Sequence, residues 1–186
     1  NPEVQLHAAA LGKSFGYKGE QLELLDFEAT PHVLISGTTG SGKSTLLQVL
    51  LTSLCQSTPP SELRLVLIDM KNEDLPPFAK LPHVQEVATT GESAARLLTW
   101  VRDEKDRRVA SGGKKHQRIV LVIDELAELT STLKEQNVKS SVFSSILAIG
   151  RSKSINVIAA TQKPLASIVG SVAKSNFPLR LVGRVL

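Results

Sequence analysis

Between His32 and Leu51 the chain reads HVLISGTTGSGKSTLLQVLL, two apolar runs separated by a glycine-rich turn and a single lysine. Gly37, Gly42, Lys43 and Ser44 satisfy G-x-x-x-x-G-K-[ST], with Thr38, Thr39, Gly40 and Ser41 between the glycines and Thr45 following. Glycines at such spacing let the backbone curl until successive N–H groups converge on phosphate oxygens, and a helix starting near Ser44 adds its positive end. Lys43 then reaches the β and γ phosphates, and the Ser44 hydroxyl ligates Mg²⁺. A second signal lies in IVLVIDEL, residues 119–126. Asp124, at the end of an apolar strand, is placed to hold the magnesium shell, and Glu125 to orient and deprotonate an attacking water. The same acidic pair also suits a helix N-terminus, which favours negative charge. Asp69, another strand-end acid, reads as a structural or outer-shell carboxylate.

These residues supply a metal, a base and positive charge for a triphosphate, so the chemistry expected is Mg-dependent nucleoside triphosphate hydrolysis. Only an arginine acting from a second subunit is missing from the set. No N-K-x-D base reader follows, which favours ATP over GTP. A nucleotide-dependent switch that barely turns over is the reading from another class; Glu125 argues against it, because a pure switch needs no base.

The elements that must position these groups alternate along the chain. VQLHAAAL and QLELLDF, around a turn at GYKGE, read as short strands of an N-terminal extension over residues 1–30. From 31 to 186 apolar runs alternate with helical patterns. HVLIS (32–36), LRLVLID (63–69), IVLVID (119–124), INVIAA (155–160) and PLRLVGRV (178–185) read as strands. Helices are expected over 44–55, after Thr89 with Glu92 as its capping-box partner, and through Val138, Val142, Ile146 and Ile149. The charged run RDEKDRR (102–108) reads as an exposed helical face, and GGKKHQR (112–118) as a surface loop. Such alternation predicts an α/β fold with a mostly parallel sheet flanked by helices, its ligand site at the carboxyl ends of the strands.

Composition sets broad bounds. The 186 residues are 41% hydrophobic and 22% charged, one ordinary globular domain's worth of chain. There is no apolar run of membrane-helix length and no signal peptide, so a cytoplasmic setting is expected. The start at Asn1 suggests an excised piece, with any membrane anchor in segments outside it. The lone Cys55 fits a reducing compartment and packing as a small hydrophobe. A net charge of +4 leans weakly toward nucleic acid, and 4% aromatic residues argues against base stacking as the main contact.

PHVLISGTTGSGKS, LIDMKNEDL, LPHV, IVLVIDELAEL, GRSKSINVIAATQKP and AKSNFPLRLVGRV stand in an order and rough spacing that resembles the motor domain of FtsK/SpoIIIE-type DNA translocases. The resemblance runs from about Leu11 to the end. It implies a RecA-like P-loop ATPase core, working as a homo-hexameric ring around double-stranded DNA, with ATP and Mg²⁺ as cofactors. It implies that the strand bearing AATQ lies between the phosphate-loop strand and the VIDE strand, with Gln162 as a γ-phosphate sensor. Arg151 resembles the arginine that reaches a neighbouring subunit's ATP, although near a helix C-terminus it also complements the dipole. Lys163 and Lys174 fall where the family faces DNA, and equally read as solvated surface lysines. The chain departs from the family in Met70, where proline is usual, in a short stretch between Val109 and Ile119, and in lacking a winged-helix DNA reader. A coupling ATPase of a conjugation or secretion system, moving single-stranded DNA or protein, is the alternative from the same superfamily.

Overall fold

The computed structural model describes residues 8–16, 19–112, 116–162 and 176–184. Strands β1 (Ala8–Gly16) and β2 (Gly19–Asp26) form an antiparallel hairpin with a bulge between Ala10 and Gly12. The first strand therefore lies further along the chain than VQLHAAAL predicts; residues 4–7 of that stretch lie outside the described residues. Then come β3 (His32–Ser36), α1 (Lys43–Ser57), β4 (Leu63–Ile68), a 3₁₀ turn (Pro76–Lys80) and β5 (Val84–Ala88). After α2 (Gly91–Ala110) follow β6 (Arg118–Ile123), α3 (Leu126–Glu135), α4 (Ser140–Ile149), a second 3₁₀ turn (Gly150–Lys153), β7 (Ile155–Thr161) and β8 (Leu179–Val182). Among the described residues no helix is long and apolar enough to cross a membrane.

Strands β3 to β8 form one sheet in the order β5-β4-β6-β7-β3-β8, and every neighbouring pair is parallel. Strand β7 thus lies between the phosphate-loop strand β3 and β6, as the resemblance implies. Side chains alternate across the sheet, and helices cover both faces. Leu34, Val66, Leu121 and Val157 pack toward α2, α3 and α4. Val33, Ile35, Leu65 and Val120 pack toward α1, whose Leu47, Leu50, Leu51 and Leu54 are all buried. Ala9, Leu25 and Phe27 of the hairpin segment join this second core, so the N-terminal extension closes over α1. Burial on both faces is why β6 reads as an unbroken apolar run. Cys55 lies half-buried against the α1 side, and burial pushes its thiol up to about 11, as a packed small hydrophobe requires.

His32 pins α4 to the sheet. Its Nδ1 accepts from the Val157 N–H at 3.0 Å and its Nε2 donates to the Leu147 carbonyl at 2.9 Å. Burial holds the ring neutral by pushing its pKa down to about 4, against the raising effect of the Leu147 carbonyl.

Four local expectations need correction. Strand β5 has no counterpart among the strands expected from sequence, because VQEVA is an edge strand whose polar residues face solvent. The capping box belongs to Thr90 and Ser93, one residue after the expected pair. The helix through Val138 is two helices, since Asn137 takes a left-handed φ of 55° and ends the first. Within 102–108, Lys105 and Arg108 are buried. Arg108 Nε contacts Glu104 at 2.7 Å and its Nη1 donates to the Lys153 carbonyl at 2.7 Å, tying α2 to the second 3₁₀ turn.

Candidate nucleotide and metal site

Strand β3 runs straight into the glycine-rich loop, and α1 starts at Lys43 behind it. Gly42 caps the helix with a φ of 87°, which side-chain-bearing residues rarely adopt. Gly37 is needed for close approach: a Cβ there would sit 2.4 Å from Ser41 Oγ and 3.3 Å from Gly183 Cα. The loop is laced to its neighbours by backbone bonds. The Gly37 N–H donates to the Thr161 carbonyl at 3.3 Å, and the Thr38 N–H to the Arg184 carbonyl at 3.0 Å. Thr38 Oγ1 donates to the same carbonyl at 3.1 Å, and the Gly183 N–H donates to the Ser36 carbonyl at 2.7 Å. Lys43 Nζ donates to the Thr38 carbonyl at 3.0 Å, folding its charge over the loop that phosphate would fill.

A pocket of about 340 Å³ opens at the carboxyl ends of the strands and brings together Lys43, Ser44, Thr45, Asp124 and Gln162 with Thr39 and Gly40. Lys71 and Asp74, from the loop after β4, also line it. A cavity of about 500 Å³ lies around Arg118, Glu28 and Glu62 at the other end of the strands. It touches no phosphate-loop residue.

Asp124 and Glu125 have different surroundings. The Asp124 carboxyl faces the pocket and is pushed up to about 6, first by burial and then by the charges of Asp74 and Asp69, with Lys71 opposing. Glu125 caps α3 through the Ala127 N–H at 3.2 Å, as a helix N-terminus asks. Its Oε1 also accepts from Thr161 Oγ1 at 2.7 Å and its Oε2 from the Gln162 N–H at 2.9 Å, so it fixes the end of β7. Gln162 Oε1 in turn accepts from Thr39 Oγ1 at 3.0 Å. Asp69 is fully buried and accepts five backbone N–H groups, from Lys71 to Leu75, at 2.9–3.2 Å; it is structural.

Asp74 was not singled out from sequence. It accepts the Ser44 hydroxyl at 2.5 Å across 30 residues of chain, and nothing in LIDMKNEDL announces that partner. Arg151 lies elsewhere: exposed on the second 3₁₀ turn, it donates to the Glu28 carbonyl at 3.2 Å. The length of β7 separates it from Gln162, roughly 20 Å at the usual rise per residue. Lys163 and Lys174 lie outside the described residues.

Magnesium fits this donor set. Mg²⁺ prefers oxygen, keeps several waters and is bound through one or two protein groups plus substrate phosphates. The Ser44 hydroxyl and the Asp124 carboxylate offer that on the pocket wall, and among the described residues no cluster of three His, Cys, Asp or Glu competes as a full cage.

Residues 7–112 match the FtsK/SpoIIIE family. The chain belongs to that family. It is 34% identical over 179 residues to DNA translocase SftA of Bacillus subtilis (strain 168), covering 85% of this chain and 19% of that protein. It is 32% identical over 194 residues to DNA translocase FtsK of Borreliella burgdorferi, covering 92% of this chain and 24% of that one. The chain therefore spans about a fifth to a quarter of the length of these relatives. In fold it matches the pCW3 conjugation coupling protein TcpA with ATPγS, at a TM-score of 0.78 and 26% identity over 98% of this chain and 56% of that one. The cytoplasmic domain of the type VII secretion ATPase EccC of Thermomonospora curvata matches at a TM-score of 0.77 and 24% identity, over 98% of this chain and 24% of that one. The RecA-like P-loop architecture of the FtsK/SpoIIIE family is thus the fold of this chain.

Proposed function

We propose that this chain is the ATP-hydrolysing core of a motor that moves along double-stranded DNA as a homo-hexameric ring. One observation carries the coupling. Segment 163–175, with Lys163 and Lys174, directly follows Gln162, which contacts the phosphate loop, and the far end of β8 returns to that loop. Before it, Gln162 bonds to Thr39 and Glu125; after it, β8 ends on Thr38 and Ser36 through Arg184 and Gly183. A change at the γ phosphate is thereby felt at Gln162, one peptide bond before the segment carrying the candidate DNA contacts.

Lys43 would exchange the Thr38 carbonyl for phosphate oxygens and neutralise their charge. Ser44 and Asp124 would hold Mg²⁺, which supplies charge stabilisation to the phosphates when bound. Both Glu125 oxygens are engaged at the end of β7, so one would exchange a partner there for the attacking water, which it orients and deprotonates. Gln162 registers the γ phosphate, and Arg151 serves the neighbouring subunit's ATP, since its own lies a strand's length away. Lys163 and Lys174 contact the DNA backbone without regard to sequence. The motor works in the cytoplasm, with membrane attachment only through segments outside this chain.

The test is ATPase activity with double-stranded DNA, single-stranded DNA or no polymer. Stimulation by double-stranded DNA supports the proposal. Stimulation by single-stranded DNA alone would favour a conjugation-type coupling ATPase, a reading that the higher identity to DNA translocases disfavours.

A further inference from the structure

The Ser44 hydroxyl is expected to turn a lone pair toward the metal, and its hydrogen must then go elsewhere. In this chain it goes to Asp74. The 2.5 Å Ser44 Oγ to Asp74 Oδ2 contact has the length of a charge-assisted O–H···O⁻ bond. The Asp74 carbonyl also accepts from Gln48 Nε2 at 3.3 Å, so side chain and backbone of one residue dock the loop after β4 onto the first turns of α1. The loop is built to deliver that carboxylate. Asp69 is saturated by five N–H groups and draws residues 71–75 around itself, with Asn72 in a left-handed turn of φ 59°. Asp69 has no oxygen left for a ligand, whereas Asp74 faces the same pocket as Ser44 and Asp124.

We propose that Asp74 is the positioning residue of the metal site: its carboxylate takes the Ser44 hydrogen, turns the hydroxyl's lone pairs toward the metal, and joins the β4 loop to the phosphate loop. This rests on the nucleotide-site reading above. Partners of this kind fix the orientation of a metal ligand and raise its donor strength, and their loss typically costs about 10–100-fold in metal affinity. Asp74 acts through Ser44 in addition to its charge, which bears on Asp124 directly, so the positioning part of its effect exists only where Ser44 does.

The experiment is Mn²⁺ binding to the 186-residue chain in the presence of ADP, followed by electron paramagnetic resonance. Wild type, Asp74→Asn, Ser44→Ala and the double variant are compared, with ADP affinity in EDTA measured alongside. Asp74→Asn is expected to weaken Mn²⁺ binding about 10–100-fold and to leave metal-free ADP affinity within about twofold of wild type. In the Ser44→Ala background the same substitution is expected to cost clearly less, leaving only the loss of its charge beside Asp124. Ser44→Ala attacks the same bond from the other side, so the coupling stays readable even if Asp74→Asn lowers thermal stability. Unchanged Mn²⁺ affinity in Asp74→Asn, or an equal loss with and without Ser44, overturns the proposal alone. Failure of the wild-type chain to bind ADP with or without Mn²⁺ overturns the nucleotide-site reading and this proposal with it.

Discussion

Thr39 and Gln162 are hydrogen-bonded at 3.0 Å, hydroxyl to amide oxygen, although 123 residues separate them. One belongs to the phosphate loop, the other to the last residue before segment 163–175. Gln162→Ala removes this bond while leaving the Gln162 N–H on Glu125. ATP binding should therefore persist, and DNA-stimulated turnover should fall to the unstimulated rate. Fluorescent-nucleotide titration and ATPase assays with and without DNA check the two halves separately.

Glu125 and Lys43 should fail in different ways. Lys43→Ala removes the charge that neutralises phosphate in ground and transition states alike, so both binding and turnover should be lost. Glu125→Gln keeps a near-isosteric cap for α3 and should bind ATP, with hydrolysis down by about 10²–10⁴. It should also lower stability by about 1–3 kcal/mol, because a carboxamide N–H replaces an oxygen that now faces an N–H donor. Nucleotide binding, turnover and thermal melting of the two variants separate these outcomes.

The acid-side stability of the metal-free protein should carry separate contributions from Glu104, Asp124 and His32. Glu104 is held down to about 2, chiefly by the Arg107 hydrogen bond, against burial and with help from Arg108. Its contribution is present above its ordinary value of 4.5 and is lost as pH falls toward about 2. Asp124 is raised from 3.8 to about 6, so its contribution is present below pH 3.8 and is lost as pH rises through about 6. Melting temperatures in EDTA should climb from about pH 2 to 4.5; between about pH 4 and 6.5 the gain from keeping buried His32 neutral opposes the loss at Asp124. Glu104→Gln should flatten the first climb, and Asp124→Asn should leave the His32 rise between about pH 4 and 6 unopposed.

How legible these features were in the sequence depended on how local their causes are. The phosphate loop is written within residues 37–45, and each glycine answers to a backbone need inside that stretch or against one neighbour. The parallel sheet was legible because strands buried on both faces must be continuously apolar, as IVLVI is. Asp74 was not, because its partner Ser44 is brought to it only by the Asp69-wrapped loop. The sign alternation of RDEKDRR hid two buried cations, since burial of Arg108 follows from Glu104 beside it and from carbonyls 45 and 46 residues away. The break at Asn137 was invisible to an apolar period that continues from one helix into the next.

Arg151 provides the sharpest test of assembly. It sits at the start of β7 while its own phosphate site sits at the end, so no side-chain rotation brings the two together. Arg108 further fixes the turn that carries it, by donating to the Lys153 carbonyl at 2.7 Å and the Ser154 carbonyl at 3.4 Å. If Arg151 serves catalysis, it does so on another subunit. Activity per subunit should then rise with protein concentration, because arginine fingers contribute about 10³–10⁵ in rate and an isolated chain lacks one. Arg151→Ala protein keeps an intact phosphate site, and Lys43→Ala protein keeps an intact finger. Each alone should be nearly inactive, while their mixture should regain part of the wild-type rate at interfaces where one subunit supplies Lys43 and the next supplies Arg151. ATPase assays on mixed rings, with assembly verified by light scattering, read this out. Absence of rescue in rings of verified mixed composition would assign Arg151 to the Glu28 carbonyl and the 3₁₀ turn alone.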